Sequence, residues 1–245
     1  MRSVTDKILE EVRIAETRYG ISQSLAKAIL LIPVAISLLY LLSVVLPATR
    51  NIASWMQEEN RPIELLTFVF LLAGGMQGLF LAWQAKVHGE KFLIYAFYSL
   101  FSIGFLVTAM EEVAWGQWFI GFDTPLSIER INVQREFTLH NIQGLHGKTE
   151  FVRVAFGLGG LLGVWLSYRN YFRKIGAPFI LIAWFLIISI HAIPDLYVEI
   201  FSIDGRFDTL ISRLAEFMEM MIAVSGFMFI WLNARMLTAE WKEGN

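Results

Sequence analysis

Six apolar stretches, each about as long as a bilayer is thick, constrain this chain more than any other feature of its sequence. A helix needs about 20 apolar residues to cross the hydrocarbon core, and only helices and closed barrels satisfy their backbone hydrogen bonds in lipid. The predicted spans are Ala28–Ala48, Leu65–Ala85, Phe92–Met110, Phe151–Tyr168, Ile175–Pro194 and Leu210–Ala234. The sequence therefore predicts an all-α integral membrane bundle of about six helices.

The composition of the chain excludes several classes of function. Hydrophobic residues make up 56% of it and charged residues only 17%, which is unlike a water-soluble enzyme. With a net charge of −2, the chain offers no basic field that would recruit nucleic acid. Cysteine is absent, which excludes disulfides, a thiolate nucleophile and zinc held by cysteine.

The placement of Lys and Arg predicts the topology. Twelve of them fall on one side of the predicted membrane, mostly in short segments, and six fall on the other side in longer loops. The twelve are Arg2, Lys7, Arg13, Arg18, Lys27, Lys86, Lys91, Arg169, Arg173, Lys174, Arg235 and Lys242. By the positive-inside rule, we expect a multi-pass protein of the inner or plasma membrane with both termini in the cytoplasm. Residues 1–26 are then a cytoplasmic amphipathic arm, 27–235 the six-helix domain and 236–245 a cytoplasmic tail.

Polar residues from four separate segments are predicted to meet near the extracytoplasmic face. Glu111 and Glu112 end the third span, and two pairs of residues four apart follow along the chain. Those pairs are Glu136 with His140 and His191 with Asp195, and Pro194 is expected to break the helix between the latter two. Glu216 and Glu219 are expected two to three turns inside the sixth span. Ionisable groups within a membrane are costly and are usually functional, so this predicts a polar site.

Each of these residues also has an ordinary structural explanation. The paired glutamates can mark the membrane–water boundary, with Trp115 and Trp118 as aromatic belt residues. Glu216 can pair with Arg213, three residues before it. The prediction of a site therefore rests on the convergence of the set, and this depends on the number of spans.

The order of three short motifs resembles the CAAX-protease and bacteriocin-processing family of intramembrane proteases, whose pattern is EExxxR, then FxxxH, then HxxxN. Here "EEVAWG" supplies the paired glutamates, "FTLH" supplies Phe137 and His140, and "HAIPD" supplies His191 and Asp195. Gly116 stands at the arginine position of the first motif, and Phe137 is one residue closer to the histidine than in the family.

A second resemblance is closer in its residues. The chain is similar to a family of bacterial multi-pass membrane proteins that carry EExxWGQ followed by NxQxExxxHN, and that family brings no known activity. Gln117 completes the first motif. The second motif consists of Asn132, Gln134, Glu136, His140 and Asn141.

Three functions remain open from the sequence. The protease resemblance implies a hydrolase without cofactor, in which Glu111, with Glu112 beside it, activates water. His140 would assist proton transfer, and His191 with Asp195 would orient or stabilise the developing oxyanion, although Asp195 would more naturally fix the tautomer of His191. Its substrate would be a membrane peptide or a lipid. Adjacent carboxylates in a low-dielectric setting cannot both ionise cheaply, so one of them can serve as a base near neutral pH.

The second possible function is that of a metal-dependent enzyme. Glu136 with His140 and His191 with Asp195 are each four residues apart, so each pair would place two metal ligands on one face if its segment is helical. Zinc, iron or manganese would suit the carboxylate and imidazole set. The ligands would be Glu111 or Glu112, Glu136, His140, His191, Asp195 and Glu216. Around the predicted catalytic residues, the supporting residues are Glu136, Asn141, Gln117 and Glu216. The third function is a transporter or a subunit of a membrane complex, since buried acids and histidines also relay protons.

Overall fold

The computed structural model describes residues 3–58, 61–133, 135–139, 141–143, 149–201 and 214–244. His140, Gln134 and Arg213, which the sequence analysis singled out, lie outside these ranges. Six helices are long and apolar enough to cross a membrane. They are α2 Gln23–Val45, α4 Pro62–Val87, α5 Phe92–Glu112, α8 Thr149–Ser167, α9 Ile182–Phe201 and α10 Ala215–Glu243. The prediction of an all-α multi-pass membrane bundle is confirmed.

Four shorter helices lie at the ends of the bundle. They are α1 Val4–Tyr19, α3 Pro47–Met56, α6 Gln117–Ile120 and α7 Leu126–Glu129. Two 3₁₀ turns, Ala114–Gly116 and Phe179–Leu181, precede α6 and α9. Helix α1 begins at a capping box, in which Ser3 and Asp6 bond each other's backbone N–H groups, and it ends at Gly20 with a positive φ of 61°.

Glycines set the register of the central helices α4, α5 and α10. A Cβ on Gly78 would lie 2.1 Å from Oγ of Ser102 in α5, and one on Gly74 would lie 3.1 Å from the ring of Phe105. The same two glycines also contact Ile230 and Phe227 of α10. Because such close backbone approach needs small residues, these positions fix α4 and α5 as antiparallel and α4 and α10 as parallel.

This register gives the bundle two distinct ends. At one end, which we call the tail end, α4 meets α5 and α10 finishes. At the other end, which we call the acidic end, α5 finishes while α4 and α10 begin. Glu112 then lies level with Thr67 of α4 and with Glu219 of α10, and Glu64 and Glu216 lie about one turn farther out.

Helix α1 is packed against the tail end. Its buried face consists of Val12, Ala15 and Tyr19. From α10, Arg235 donates hydrogen bonds to the carbonyl oxygens of Tyr19 at 2.8 Å and Gly20 at 2.5 Å. The predicted amphipathic arm is thus a helix whose apolar face is covered by the bundle.

Two helix predictions differ from the structure. Pro194 does not break the fifth span: α9 runs through it to Phe201, so His191 and Asp195 lie on one continuous helix. Proline is tolerated within membrane helices because neighbouring groups satisfy the backbone carbonyl that it leaves unbonded. The sixth span begins at Ala215, so Glu216 and Glu219 occupy its first two turns rather than its second and third, and it extends through the predicted tail to Glu243.

Candidate functional site

The end of α5 is a strained turn. Ala114, Trp115 and Gly116 follow one another with positive φ angles of 45°, 53° and 90°. Residues with a Cβ rarely adopt such angles, and they persist only where the surrounding structure enforces them, often at functional sites. Because of this turn, α6 leaves sideways from the end of α5 instead of continuing along its axis.

Gln117, directly after the turn, organises the long loop that follows. Its side-chain N–H group donates to the carbonyl oxygen of Phe122 at 3.0 Å and to Oγ1 of Thr124 at 2.9 Å, and its oxygen accepts from the backbone N–H of Phe137 at 3.0 Å. One side chain thus holds both ends of the loop. Gln117, predicted as a supporting residue, has an architectural role.

Asn132 closes the loop on itself. Its side-chain N–H group donates to the carbonyl oxygen of Thr138 at 2.8 Å, and its oxygen accepts from the backbone N–H of Glu136 at 3.3 Å. Residues 131–133 pair with 141–143 around an isolated bridge between Asn132 and Ile142. Asn141 is buried, and its carbonyl oxygen accepts from Val133 at 2.8 Å.

The loop folds back over Glu111. One carboxylate oxygen of Glu111 accepts from the backbone N–H of Leu139 at 2.6 Å, and the other accepts from the indole N–H of Trp115. Two N–H donors, one on each oxygen, fix the position of the carboxylate. Glu111 therefore anchors the loop to the end of α5.

Glu112 faces a different environment, formed by carboxylates of the neighbouring helices. Four other glutamates lie close enough to Glu112 for their charges to act on it. They are, from the strongest effect to the weakest, Glu219, Glu216, Glu64 and Glu111. We call these five residues the glutamate cluster. All five are half-buried, and they come from three helices.

The helix dipole explains only part of this cluster. Glu64 and Glu216 lie in the first turns of α4 and α10, where the positive end of the dipole stabilises an acid. Glu111 and Glu112 lie in the last turn of α5, where the dipole disfavours negative charge. The paired glutamates that drew attention in the sequence are thus the ones whose position helix electrostatics does not favour.

Asp195 belongs to a second polar group, between α8 and α9. Arg153 is buried, 4% exposed, and pairs with Glu150 at 2.9 Å and with Asp195 at 3.3 Å. In the structure Asp195 pairs with a guanidinium from the facing helix. This pairing also explains how a span can contain an arginine. The predicted role of Asp195 in fixing the His191 tautomer stays a prediction.

His191 lies deeper in the bundle than the paired glutamates. It is buried and one turn below Asp195 on α9. A Cβ on Gly157 would lie 2.5 Å from Oγ of Ser189, so His191 is nearly level with Phe156, whose ring contacts Phe105 at 6.4 Å. Phe105 is two turns below Glu112. His191 thus shares an end of the bundle with Glu112 but lies more than one turn deeper, so the two are not at one depth.

The described part of the chain gives the metal hypothesis no direct support. Glu136 lies in the turns of the loop rather than on a helix. The prediction that Glu136 and His140 share one face of a helix is therefore wrong for Glu136. Among the described residues, no three His, Asp or Glu side chains are arranged to hold a metal ion. His140 is outside those residues, so metal binding stays a prediction.

Sequence reasoning missed two acids that the structure brings to this end. Glu64 follows the Pro62 that begins α4, and Glu150 is in the first turn of α8; both positions look like ordinary helix N-terminal acids. The signal that could have found Glu150 is its spacing of three residues from Arg153, which suits an ion pair on a helix. For Glu64, only the register of α4 against α5 shows that it approaches Glu112.

Comparison of this chain with models of protein families, with curated proteins and with solved structures finds no match. The two family resemblances therefore stay predictions, and the function has to be argued from the geometry. That geometry belongs to a multi-pass helical membrane protein with five glutamates gathered at one end of its bundle.

Proposed function

We propose that the chain is a membrane hydrolase whose water-activating base is Glu112, in the glutamate cluster. The observation that carries the proposal is the position of Glu112: the last turn of α5, among carboxylates from α4 and α10. Like charges held together in a partly dry setting cannot all ionise cheaply, so carboxyls grouped in this way suit the exchange of a proton with water. A protonated and an ionised carboxyl side by side are the pair that acid–base hydrolysis needs.

The two adjacent glutamates divide the work in this proposal. Both oxygens of Glu111 accept hydrogen bonds that hold the loop, so Glu111 positions the site. Glu112 would take a proton from water as the water oxygen attacks a carbonyl carbon, and would return that proton to the leaving group. The protease resemblance assigned the base to Glu111; the hydrogen bonds of Glu111 favour Glu112 instead.

Oxyanion stabilisation by His191 is what the protease resemblance implies, and donors kept from bulk water contribute roughly 3 kcal/mol each. His191 and Arg153 are buried at the same end of the bundle. Because His191 lies more than one turn deeper than Glu112, a substrate carbonyl would have to reach below Glu112 for His191 to act on it. Asp195 and Glu150 keep the guanidinium in place. His140 would assist proton transfer, as the protease resemblance implies.

We also propose that the acidic end faces the outside of the inner or plasma membrane. The support is the Lys and Arg count, because the tail end carries the short cation-rich segments. The substrate would then be a membrane peptide or a lipid that is accessible from the extracytoplasmic leaflet.

The test compares two carboxylates of the acidic end. The purified protein is assayed against fluorogenic peptides and against ester and amide lipids in micelles, as wild type, Glu112→Gln and Glu199→Gln. Glu199 is exposed on the outer part of α9 and outside the cluster, so it is the matched control. We expect Glu112→Gln to lose at least about a hundredfold in turnover, in line with the loss of a general base, and Glu199→Gln to retain it.

Elemental analysis and a chelator accompany the assay. Full activity in metal-free protein supports the proposed mechanism. Stoichiometric zinc, iron or manganese, with activity lost on chelation, would replace it with the metal-dependent one. Ion flux in proteoliposomes that Glu112→Gln abolishes, without hydrolysis of any substrate class, would replace it with transport.

A further inference from the structure

We propose that α6, at the start of the loop over the site, is a membrane anchor that inserts Phe119 and Ile120 into the lipid beside α4. The proposal concerns an interaction surface and its partner, the acyl chains just below the headgroups. It does not depend on the hydrolase.

The first observation is exposure. Ile120 is 78% exposed and Phe119 is 65% exposed, although both are large apolar side chains. In water, adjacent side chains of this kind would forgo the free energy that burial of apolar surface normally provides. A lipid environment removes that cost.

The second observation is depth. The ring of Phe119 contacts the ring of Phe68 at a centroid distance of 5.9 Å. Phe68 is six residues after α4 begins, which is about 9 Å along the helix axis from its outer end. Helix α6 therefore lies beside α4 rather than beyond its end, as expected for an interfacial helix whose apolar side chains enter the upper acyl region.

The third observation is hydrogen bonding. Irregular backbone near the depth of the membrane is tolerated only where its polar groups are satisfied within the protein. Gln117, at the start of α6, bonds the carbonyl oxygen of Phe122 and the N–H of Phe137, and Gly121 donates to the carbonyl oxygen of Gln117 at 2.8 Å. The segment that would enter the lipid thus bonds its own backbone.

A second element at the acidic end has the same character. Helix α3 buries Ala53 against the bundle and exposes Ile52 and Trp55. Arg50 of α3 donates to the carbonyl oxygens of Val44 and Val45, which holds the start of α3 to the end of α2. Two short helices at this end therefore expose apolar side chains, as interfacial helices do.

Charged residues on the same loop provide a control for the depth of α6. Asp123, Arg130 and Arg135 are exposed and belong to the loop that follows α6. If α6 is an anchor, Ile120 contacts lipid while Arg130 contacts water. If the loop lies outside the membrane, both residues contact water.

The chain has no cysteine, so a single label can be placed without removing any native residue. Ile120→Cys, Arg130→Cys and Leu100→Cys are each labelled with an environment-sensitive fluorophore and reconstituted in phosphatidylcholine vesicles. Leu100, 72% exposed in the middle of α5, reports the hydrocarbon core. Quenching is measured with lipids that carry a nitroxide at carbon 5 or carbon 12, and with iodide in water.

We expect the Ile120 label to be quenched by the carbon-5 nitroxide at least about twofold more than the Arg130 label, and more by carbon 5 than by carbon 12. The Leu100 label should show the reverse order of the two lipids. Equal iodide quenching at Ile120 and Arg130, without lipid quenching at Ile120, would overturn the proposal. If Ile120→Cys does not fold, Phe119→Cys gives the same measurement on the neighbouring side chain and decides it.

Discussion

Two groups of acids, one at each end of the bundle, have opposite electrostatic surroundings. At the tail end, each acid of the central network pairs with a cation: Lys174 bridges Glu90 and Glu240, and Arg173 pairs with Glu240 at 2.6 Å. The indole N–H of Trp241 also donates to Glu90 at 2.9 Å. At the acidic end, the charges acting on Glu112 are those of four more glutamates. The first arrangement stabilises the fold, whereas we expect repulsion within the second to oppose folding.

This difference indicates which end carries function. Marginally stable proteins keep unfavourable arrangements mainly where function requires them. Helix dipoles account for Glu64 and Glu216 but not for Glu112. The comparison predicts that removing a glutamate charge lowers the free energy of unfolding at the tail end and raises it in the glutamate cluster.

The largest expected effect comes from the one strongly paired group at the acidic end. Arg153→Met leaves Glu150 and Asp195 as buried acids without their cation, so we expect the free energy of unfolding to fall by about 3–5 kcal/mol. Denaturant or thermal unfolding in detergent measures it. The triple variant with Glu150→Gln and Asp195→Asn should recover most of the loss, and no recovery would mean that the ion pairs are not the cause.

Alkaline pH is predicted to weaken the tail end. Burial raises the pKa of Tyr19 from its usual 10 to about 12. Because the folded-state value is the higher one, the stabilisation by neutral Tyr19 is complete below about pH 10 and is lost as pH rises towards 12. It amounts to about 2–3 kcal/mol when fully present.

The variant Tyr19→Phe, which lacks the titrating hydroxyl, tests this prediction against the wild type. Its free energy of unfolding should fall less steeply between about pH 10 and 12 than that of the wild type. If the free energies of unfolding of the two proteins fell in parallel with pH, burial would not raise the pKa of Tyr19.

A smaller effect is expected from the tail-end network. Glu90→Gln keeps the shape of the side chain but removes the charge that faces Lys174 and Trp241. Since the site is only partly buried, we expect a loss of about 1–2 kcal/mol in the free energy of unfolding. A gain in stability would contradict the stabilising role of this end.

The sequence predicted the bundle better than the site because the two depend on different kinds of information. Spans such as that of α5 follow from the length and hydropathy of local segments, and Glu111 and Glu112 are visible at its end without any structure. The approach of Glu64 to Glu112 depends on how Gly74 and Gly78 set the register of two helices, which no local pattern encodes.

Two other features show the same limit. Pro194 has the sequence signature of a helix break, but a helix surrounded by others in a membrane continues through it. Trp115 and Gln117 could be identified as a motif, but their roles, a strained turn and a hydrogen-bonded loop, appear only when Leu139 is found over Glu111.

The measurement that tests the central claim most directly is the stability of Glu112→Gln beside that of Glu90→Gln, in the same detergent at pH 7. If repulsion among carboxylates opposes folding at the acidic end, Glu112→Gln should raise the free energy of unfolding by about 0.5–2 kcal/mol while Glu90→Gln lowers it. A fall in stability for Glu112→Gln as large as that for Glu90→Gln would contradict the account, because Glu112 would then be a structural ion-pair partner like the acids of the tail end.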